Sequence, residues 1–314
     1  MEDGYFTLMQ QLAPDLAQEI ELRALVLERI GALQPVGRRQ LAARLNLPER
    51  EVRTVATLLK KHGLITLDAA GMCLTPAAES VLPMARRFSR DLKGLTRLET
   101  ALAEQLGVDK VCVAAGNADT DPHVLGEVGR IAGTRLRGFL QTGCTLAVTG
   151  GSTIREVAFA VPQGTPMNVM VVPARGGMGG ALETQANTLA CEIARRLGGH
   201  HRMMHLPDHL DEQALQEMRK LIEIDETLAL LERADVVLHG VGRADDMTQR
   251  RQLPGPVSAE VLRKGAVAEA YGCYFDRRGR LVYSASTVAH NLGALQPDCA
   301  LIALAAGAHT AEPP

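Results

Sequence analysis

Two groups of residues in this chain have types and spacings suited to chemistry, and they lie far apart in sequence. The first is Val148-Thr149-Gly150-Gly151-Ser152-Thr153, an apolar strand ending in two glycines and two hydroxyls just before the helix-like run Ile154 to Phe159. Glycine lets the backbone turn tightly and approach a ligand. The free N–H groups of a helix start, joined by the Ser152 and Thr153 hydroxyls, favour an anion there. On these residues alone two readings stand: a phosphate cradle, or a strand-to-helix turn capped by a Ser or Thr side chain. The second group is basic. Between Arg38 and Lys61, seven basic residues (Arg38, Arg39, Arg44, Arg50, Arg53, Lys60, Lys61) face only Glu49 and Glu51, a local net charge of +5 in a chain whose total is -2.

The basic segment has the pattern of a helix-turn-helix. Arg38 to Leu45 reads as a short helix with Leu41 and Leu45 inward, Asn46-Leu47 as a tight turn, and Pro48 to His62 as a second helix opened by Pro-Glu. In that second helix Val52, Val55, Leu58 and Leu59 form one apolar stripe, while Arg50, Arg53, Thr54, Thr57 and Lys61 share the opposite face. A polar, basic face is what a major-groove helix needs, and Arg38 and Arg39 add charge beside it. The plainer reading is a solvated helix surface. Leu64 to Leu67 and Met72 to Thr75 then alternate like a small hairpin around Asp68-Ala69-Ala70-Gly71, making the whole a winged helix. The coincidence of charge, turn and wing favours double-stranded DNA as the partner.

Other elements must position these groups. Upstream, Leu12 to Leu33 is largely helical, and Thr75-Pro76 opens another helix. Leu82, Ala85, Phe88, Leu92, Leu95, Leu98, Leu102 and Leu106 recur at intervals of three and four, a long amphipathic connector bent at Gly94. Its leucine stripe either packs on a second domain or joins two copies, and a dimer would add a second half-site on DNA. From Val108 the texture changes to short Val-rich runs alternating with helices. Val111 to Ala114, Leu146 to Thr149, Met167 to Pro173, Val236 to His239 and Ala300 to Ala305 read as buried parallel strands. Helical patterns at Pro122 to Phe139, Ile154 to Val161, Glu183 to Leu197 and Asp211 to Arg233 supply the crossovers of a doubly wound α/β domain. The expected fold is therefore a winged helix-turn-helix over residues 1–90, a connector helix over 91–107, and a Rossmann-like α/β domain over 108–314. Ligands of such domains bind in loops at strand C-termini. Here those loops carry Gly150 to Thr153, the glycine run around Arg175 (Ala174 to Gly180), and Gly240-Val241-Gly242-Arg243.

Composition narrows the function classes. The chain is 46% hydrophobic and 22% charged, and no stretch approaches the ~20 apolar residues of a membrane span. Met1-Glu2-Asp3-Gly4-Tyr5 is acidic rather than a basic signal start, so the expected location is cytoplasmic. Aromatics are 3% and Trp is absent, which disfavours stacking platforms for single strands. Cys73, Cys112, Cys144, Cys191, Cys273 and Cys299 are spread singly, so buried reduced thiols are expected, with no disulfide frame, metal or cofactor.

Residues 35 to 308 resemble the SorC family of sugar-sensing transcription factors. The resemblance rests on Pro35 to Leu41, Val148 to Thr153, Val172 to Gly177, Gln185 to Thr188, His239 to Gly242, Ala244 to Arg251 and Ala268 to Phe275. It implies a winged helix followed by a domain related to the phosphosugar isomerase and deaminase fold. It also implies repression of glycolytic genes, relieved by fructose 1,6-bisphosphate. The residues suit that ligand. Gly150, Gly151, Ser152 and Thr153 would hold one phosphate, Arg175 and Arg250 offer forked donors, Gln185 lies near, and the Glu269 carboxylate would accept sugar hydroxyls. A surface ion pair for Arg250 and an exposed helix carboxylate for Glu269 are the alternatives. A dimer or tetramer is expected, and whether other small phosphosugars such as glucose 6-phosphate or fructose 6-phosphate compete stays open on sequence.

The same resemblance raises an enzyme reading. Catalytic versions of the fold carry Gly-x-Gly-x-Asp-Gly-His, whereas here Gly240-Val241-Gly242-Arg243-Ala244-Asp245-Asp246-Met247 has no Gly-His after its Asp, so the acid/base set is incomplete and no catalytic residue is expected. A protein-interaction adaptor explains neither the basic face nor the glycine loop. After Leu301 to Leu304 the family pattern implies Gly-Gly-x-x-Lys, then a further helix and strand. This sequence has Ala306-Gly307-Ala308-His309-Thr310 and runs to Pro314. Thr310 at the lysine position is expected to weaken one phosphate site, at a cost of about 1–3 kcal/mol for a lost charge-assisted bond.

Overall fold

The computed structural model describes residues 8–9, 11–177, 181–207, 210, 212–285 and 296–307. The chain divides into two compact units, Met1–Ala115 and Gly116–Pro314.

In the first unit α1 (Pro14–Leu33) precedes α2 (Arg38–Leu45), α3 (Glu49–Lys61), the antiparallel pair β1 (Ile65–Leu67) and β2 (Met72–Leu74), and then α4 (Pro76–Leu92) and α5 (Leu95–Leu106). The sequence explains each join. Asn46 ends α2 in the left-handed region at φ 51°, which its short polar side chain tolerates, and Pro48 sets the start of α3. The apolar stripe of α3 packs inward as Val52, Val55, Ala56 and Leu59 against Val26, Leu27, Ile30, Leu41, Ile65 and Met72. Each such Val, Leu, Ile or Met side chain contributes about 1.5–3 kcal/mol on burial. Val36 pairs with Met72, adding a third extended segment to the wing. The long connector is two helices, because Gly94 at φ 66° breaks it between Leu92 and Leu95.

Val111 to Ala114 is not a strand. Its backbone is tied at Val113 to side chains of the preceding helices: Glu99 accepts the Val113 N–H at 2.6 Å and Arg90 donates to the Val113 carbonyl at 2.9 Å. Those bonds leave no ladder for a sheet neighbour, and the segment belongs to the first unit.

The second unit is a mixed sheet between helical layers. Its elements are α6 (Pro122–Phe139), β3 (Thr145–Val148), α7 (Ser152–Ala160), β4 (Met170–Pro173), α8 (Ala186–Leu197), β5 (His200–His201), α9 (Glu212–Met218), α10 (Ile222–Glu232), β6 (Val236–Arg243), α11 (Ala244–Arg250), α12 (Gly255–Arg263), β7 (Ala266–Ala270), β8 (Cys273–Asp276), β9 (Leu281–Ser284) and β10 (Ala300–Leu304). The strand order is β5-β4-β3-β6-β7-β8-β9, with β10 also on β6. Strands β3, β4, β5, β10 and the first half of β6 are parallel, while Val241 to Arg243 of β6 pair antiparallel with β7. The Gly240 to Arg243 loop expected from sequence is therefore strand. Its glycines hid it, since they are poor strand formers.

Alternation along β3 sets the two faces. Leu146 and Val148 pack with Leu136, Ile154, Val157, Leu189 and Ile193, while Ala147 packs with Val172, Val237, Leu228 and Leu231 on the other side. Helix α6 crosses α7 closely through Gly129, where a Cβ would stand 2.6 Å from the Glu156 carbonyl carbon. The single helix expected over Asp211 to Arg233 is two, with turns at Arg219 and Lys220; Asp211 lies outside the described residues. The cysteines are free, but only Cys273 is buried, while Cys112 and Cys191 are exposed.

Candidate functional site

The basic face of the first unit is solvated. Arg38, Arg39, Arg50, Arg53, Thr54, Thr57 and Lys61 are all exposed, and the last five share the outer side of α3. Two of the arginines bracket one carboxylate: Glu49 lies 3.2 Å from Arg53 and 3.7 Å from Arg39. The Arg53 hydrogen bond holds the Glu49 carboxyl below its ordinary range. Thr54 and Thr57 donate their hydroxyls to the Arg50 and Arg53 carbonyls one turn back.

In the second unit the strand ends surround a cavity of about 930 Å³, at the upper end of the ~300–1,000 Å³ usual for small-molecule sites. All eight effector residues expected from sequence line it: Gly150, Gly151, Ser152, Thr153, Arg175, Gln185, Arg250 and Glu269. Asp119, Arg243, Asp245, Asp246, Arg251 and Tyr271 join them. The glycine loop runs from β3 into α7, whose N-cap is Gly151 with no side-chain cap. The capped-turn alternative is thus not what forms. Gly150 is needed for close approach, since a Cβ there would stand 2.6 Å from the Thr184 carbonyl oxygen. Gln185 is the residue before α8, which brings it beside that loop.

The cavity floor is ionic and buried. Arg175, Glu269 and Arg251 expose 2%, 3% and 5% of their side chains, and Glu269 lies 3.3 Å from Arg175 and 2.7 Å from Arg251. The same carboxylate accepts the Gly272 N–H at 2.5 Å. Glu269 is therefore not an exposed helix carboxylate. It sits in β7 as the shared counter-ion of two guanidiniums. Arg251, which follows Arg250 past the end of α11, was missed from sequence; the Arg-Arg pair was its signal, but only the fold shows which of the two is buried. Arg250 forms an ion pair with Asp246 at 2.8 Å one helical turn back, and Arg243 holds Asp245 bidentately. The Arg243 hydrogen bonds bring the Asp245 carboxyl down to about 2. His239, buried in β6, is kept below its ordinary value by desolvation and bonds the Gly240 carbonyl. Burial pushes the Tyr274 hydroxyl up to about 12 and raises that of Tyr271 further. Thr310 lies outside the described residues.

The chain matches the CggR N-terminal DNA binding domain over residues 20–88 and a sugar-binding domain family over residues 90–312. The second match spans more than half of the sequence. The chain belongs to the SorC family of sugar-binding transcriptional regulators. It is 35% identical to the central glycolytic genes regulator of Priestia megaterium over 307 residues, covering 97% of this chain and 90% of that protein. The regulator of the same name from Bacillus subtilis is 32% identical over 304 residues, covering 96% and 89%. Among solved structures, a SorC-family regulator from Enterococcus faecalis superposes with a TM-score of 0.62 at 30% identity, covering 69% of this chain and 93% of that one. Full-length SorC from Klebsiella pneumoniae gives a TM-score of 0.64 at 17% identity over 88% and 86%, a likeness of fold alone. The winged-helix unit and the mixed-sheet unit are thus the DNA-binding and sugar-binding parts of a transcriptional regulator. Among the described residues no helix is long and apolar enough to cross a membrane.

Proposed function

We propose that this chain is a DNA-binding repressor of glycolytic genes whose grip on its operator is relieved by a phosphorylated sugar, with fructose 1,6-bisphosphate the first candidate. The observation that carries this reading is the junction of an uncapped helix start with the ionic floor of one cavity. The N-terminus of α7, through Gly150 to Thr153, opens on the same cavity as Arg175, Arg250 and Arg251. A helix start with free N–H groups favours a phosphate, and guanidiniums add forked donors. Gln185 and the carboxylates of Asp119, Asp245 and Asp246 suit sugar hydroxyls, which donate. On the DNA side, the α3 face supplies Arg50, Arg53, Thr54, Thr57 and Lys61, with Arg38 and Arg39 beside it. A two-fold dimer would present two such faces to a palindromic site.

The reading as a regulator rather than an enzyme rests on the Arg243 to Arg251 segment. It forms the end of β6 and α11, with Asp245 engaged by Arg243 and held ionised, so it is a poor general base at neutral pH. A thermal-shift panel tests the effector. Fructose 1,6-bisphosphate, fructose 6-phosphate and glucose 6-phosphate should raise the melting temperature with concentration, while unphosphorylated fructose should not. No shift with any phosphorylated sugar would overturn the effector assignment, and product formation from any of them would overturn the regulator reading.

A further inference from the structure

The turn between β7 and β8 carries an unusual residue. Ala270 pairs with Cys273, so Tyr271 and Gly272 form a two-residue hairpin, and both have positive φ, 54° and 89°. Hairpins of this kind normally place Asn, Asp or Gly first, and an aromatic residue in the left-handed region is an outlier that the surroundings must impose. Tyr271 lines the cavity, is 3% exposed, and packs edge-on against His239 at 6.3 Å between ring centroids. Its hydroxyl is buried with no hydrogen-bond partner among the described residues. Buried polar groups almost always find partners, so an orphan here marks a group with another arrangement available.

Beside the β7–β8 pairing and the Ala285 N–H bond to the Gly272 carbonyl, one side-chain atom clamps the turn. Glu269 Oε1 accepts from Arg251 at 2.7 Å, from Arg175 at 3.3 Å and from the Gly272 N–H at 2.5 Å. The carboxylate that serves the cavity arginines is thus the same one that pins the strained turn. A phosphate oxygen competes for guanidinium N–H groups on better than equal footing with a carboxylate, since it carries more charge.

Resting on the effector reading above, we infer that the Tyr271-Gly272 turn senses the ligand. An anion that engages Arg175 and Arg251 loosens Glu269, the Gly272 N–H loses its clamp, and the turn relaxes so that the Tyr271 hydroxyl finds a partner. Ligand binding then moves the β7–β8 hairpin because it has a differential affinity for the two turn states. Two features, a strained backbone and an orphan hydroxyl, disfavour the ligand-free turn and so poise it to change.

The chain has four tyrosines and no Trp, so tyrosine absorbance and emission report on this turn in the full-length protein. Saturating fructose 1,6-bisphosphate should change the tyrosine difference spectrum of the wild type. Tyr271→Phe should abolish most of that change, and Tyr283→Phe should retain it. Tyr271→Phe should also weaken the ligand about two- to tenfold, the worth of one hydrogen bond, while its ligand-free melting temperature stays level or rises. A spectral change that survives in Tyr271→Phe, an unaltered affinity in that variant, or a silent spectrum with the cavity shown occupied by thermal shift would overturn the inference and leave the effector reading standing. Failure of all three sugar phosphates of the thermal-shift panel to bind the wild type would remove both.

Discussion

One carboxylate between two arginines recurs in this molecule, and the trios centred on Glu49 and Glu269 stand in opposite surroundings. On α3, Glu49 stands between Arg39 and Arg53 with side-chain exposures of 34%, 92% and 58%. On the cavity floor, Glu269 stands between Arg175 and Arg251 with exposures no higher than 5%. Water screens the first, so its pairs are weak and each arginine can leave Glu49 for another anion at little cost. The second is desolvated, and each partner depends on the others for its charge to be tolerated. Surface pairing keeps arginines available, whereas buried pairing makes them part of the fold, which is why the inference above ties a ligand that engages them to a structural change.

The largest expected effect separates the trios by stability. Glu269→Ala should cost about 3–5 kcal/mol in chemical unfolding, the usual result of leaving buried charge without its partner. Glu49→Ala should leave the unfolding midpoint unchanged and, if the α3 face meets DNA as proposed, tighten duplex binding, because it frees Arg39 and Arg53 and removes a negative charge from that face. Equal losses in the two variants would end the contrast.

Next comes the separation of binding functions. Lys61→Ala and Arg53→Ala should weaken duplex binding and lower the salt slope by about 1 for each phosphate no longer neutralised, with sugar-phosphate affinity unchanged. A change in sugar-phosphate affinity in either variant would show that the α3 face and the cavity are not separate sites.

His239 gives a smaller, pH-dependent effect. Burial holds its imidazole neutral, with a folded pKa below that of the unfolded chain. The unfolded state therefore takes up the proton first as pH falls. The stability is fully present above the unfolded value of ~6.5 and is lost as pH falls from there through the lowered folded value. His239→Gln should flatten that slope, as unfolding measured across the range would show. The smallest effect is local: an NMR titration of Asp245 should give a midpoint of about 2 in the wild type, and Arg243→Ala should return it toward the ordinary carboxylate value of ~3.9.

How much of this was readable in sequence follows from how local the cause is. Helix α2 and the parallel strands β3, β4, β6 and β10 announce themselves through caps, turns and apolar runs, and α3 does so through its stripe, whereas the two-residue β5, His200–His201, gives no such signal. The residues lining the cavity were readable because strand-end loops converge in this kind of fold. The antiparallel arm β7 to β9 was not, since it begins where β6 continues through two glycines that read as a loop. The Arg251 role and the clamped state of Glu269 were hidden for a different reason. Both depend on pairing across strands and on burial, which no spacing along the chain encodes. Val111 to Ala114 misled because an apolar run says that a segment is covered, and here Arg90 and Glu99 rather than a sheet neighbour take its backbone groups.

The account stands on coupling between the cavity and DNA, and one titration tests it. The full-length chain is bound to a duplex selected from a random library, and its affinity is measured with and without saturating fructose 1,6-bisphosphate. The account predicts a clear loss of affinity with the ligand, and that loss should be absent in an Arg175→Ala variant that still binds the free duplex. Unchanged duplex affinity, with the cavity shown to be occupied, would contradict it.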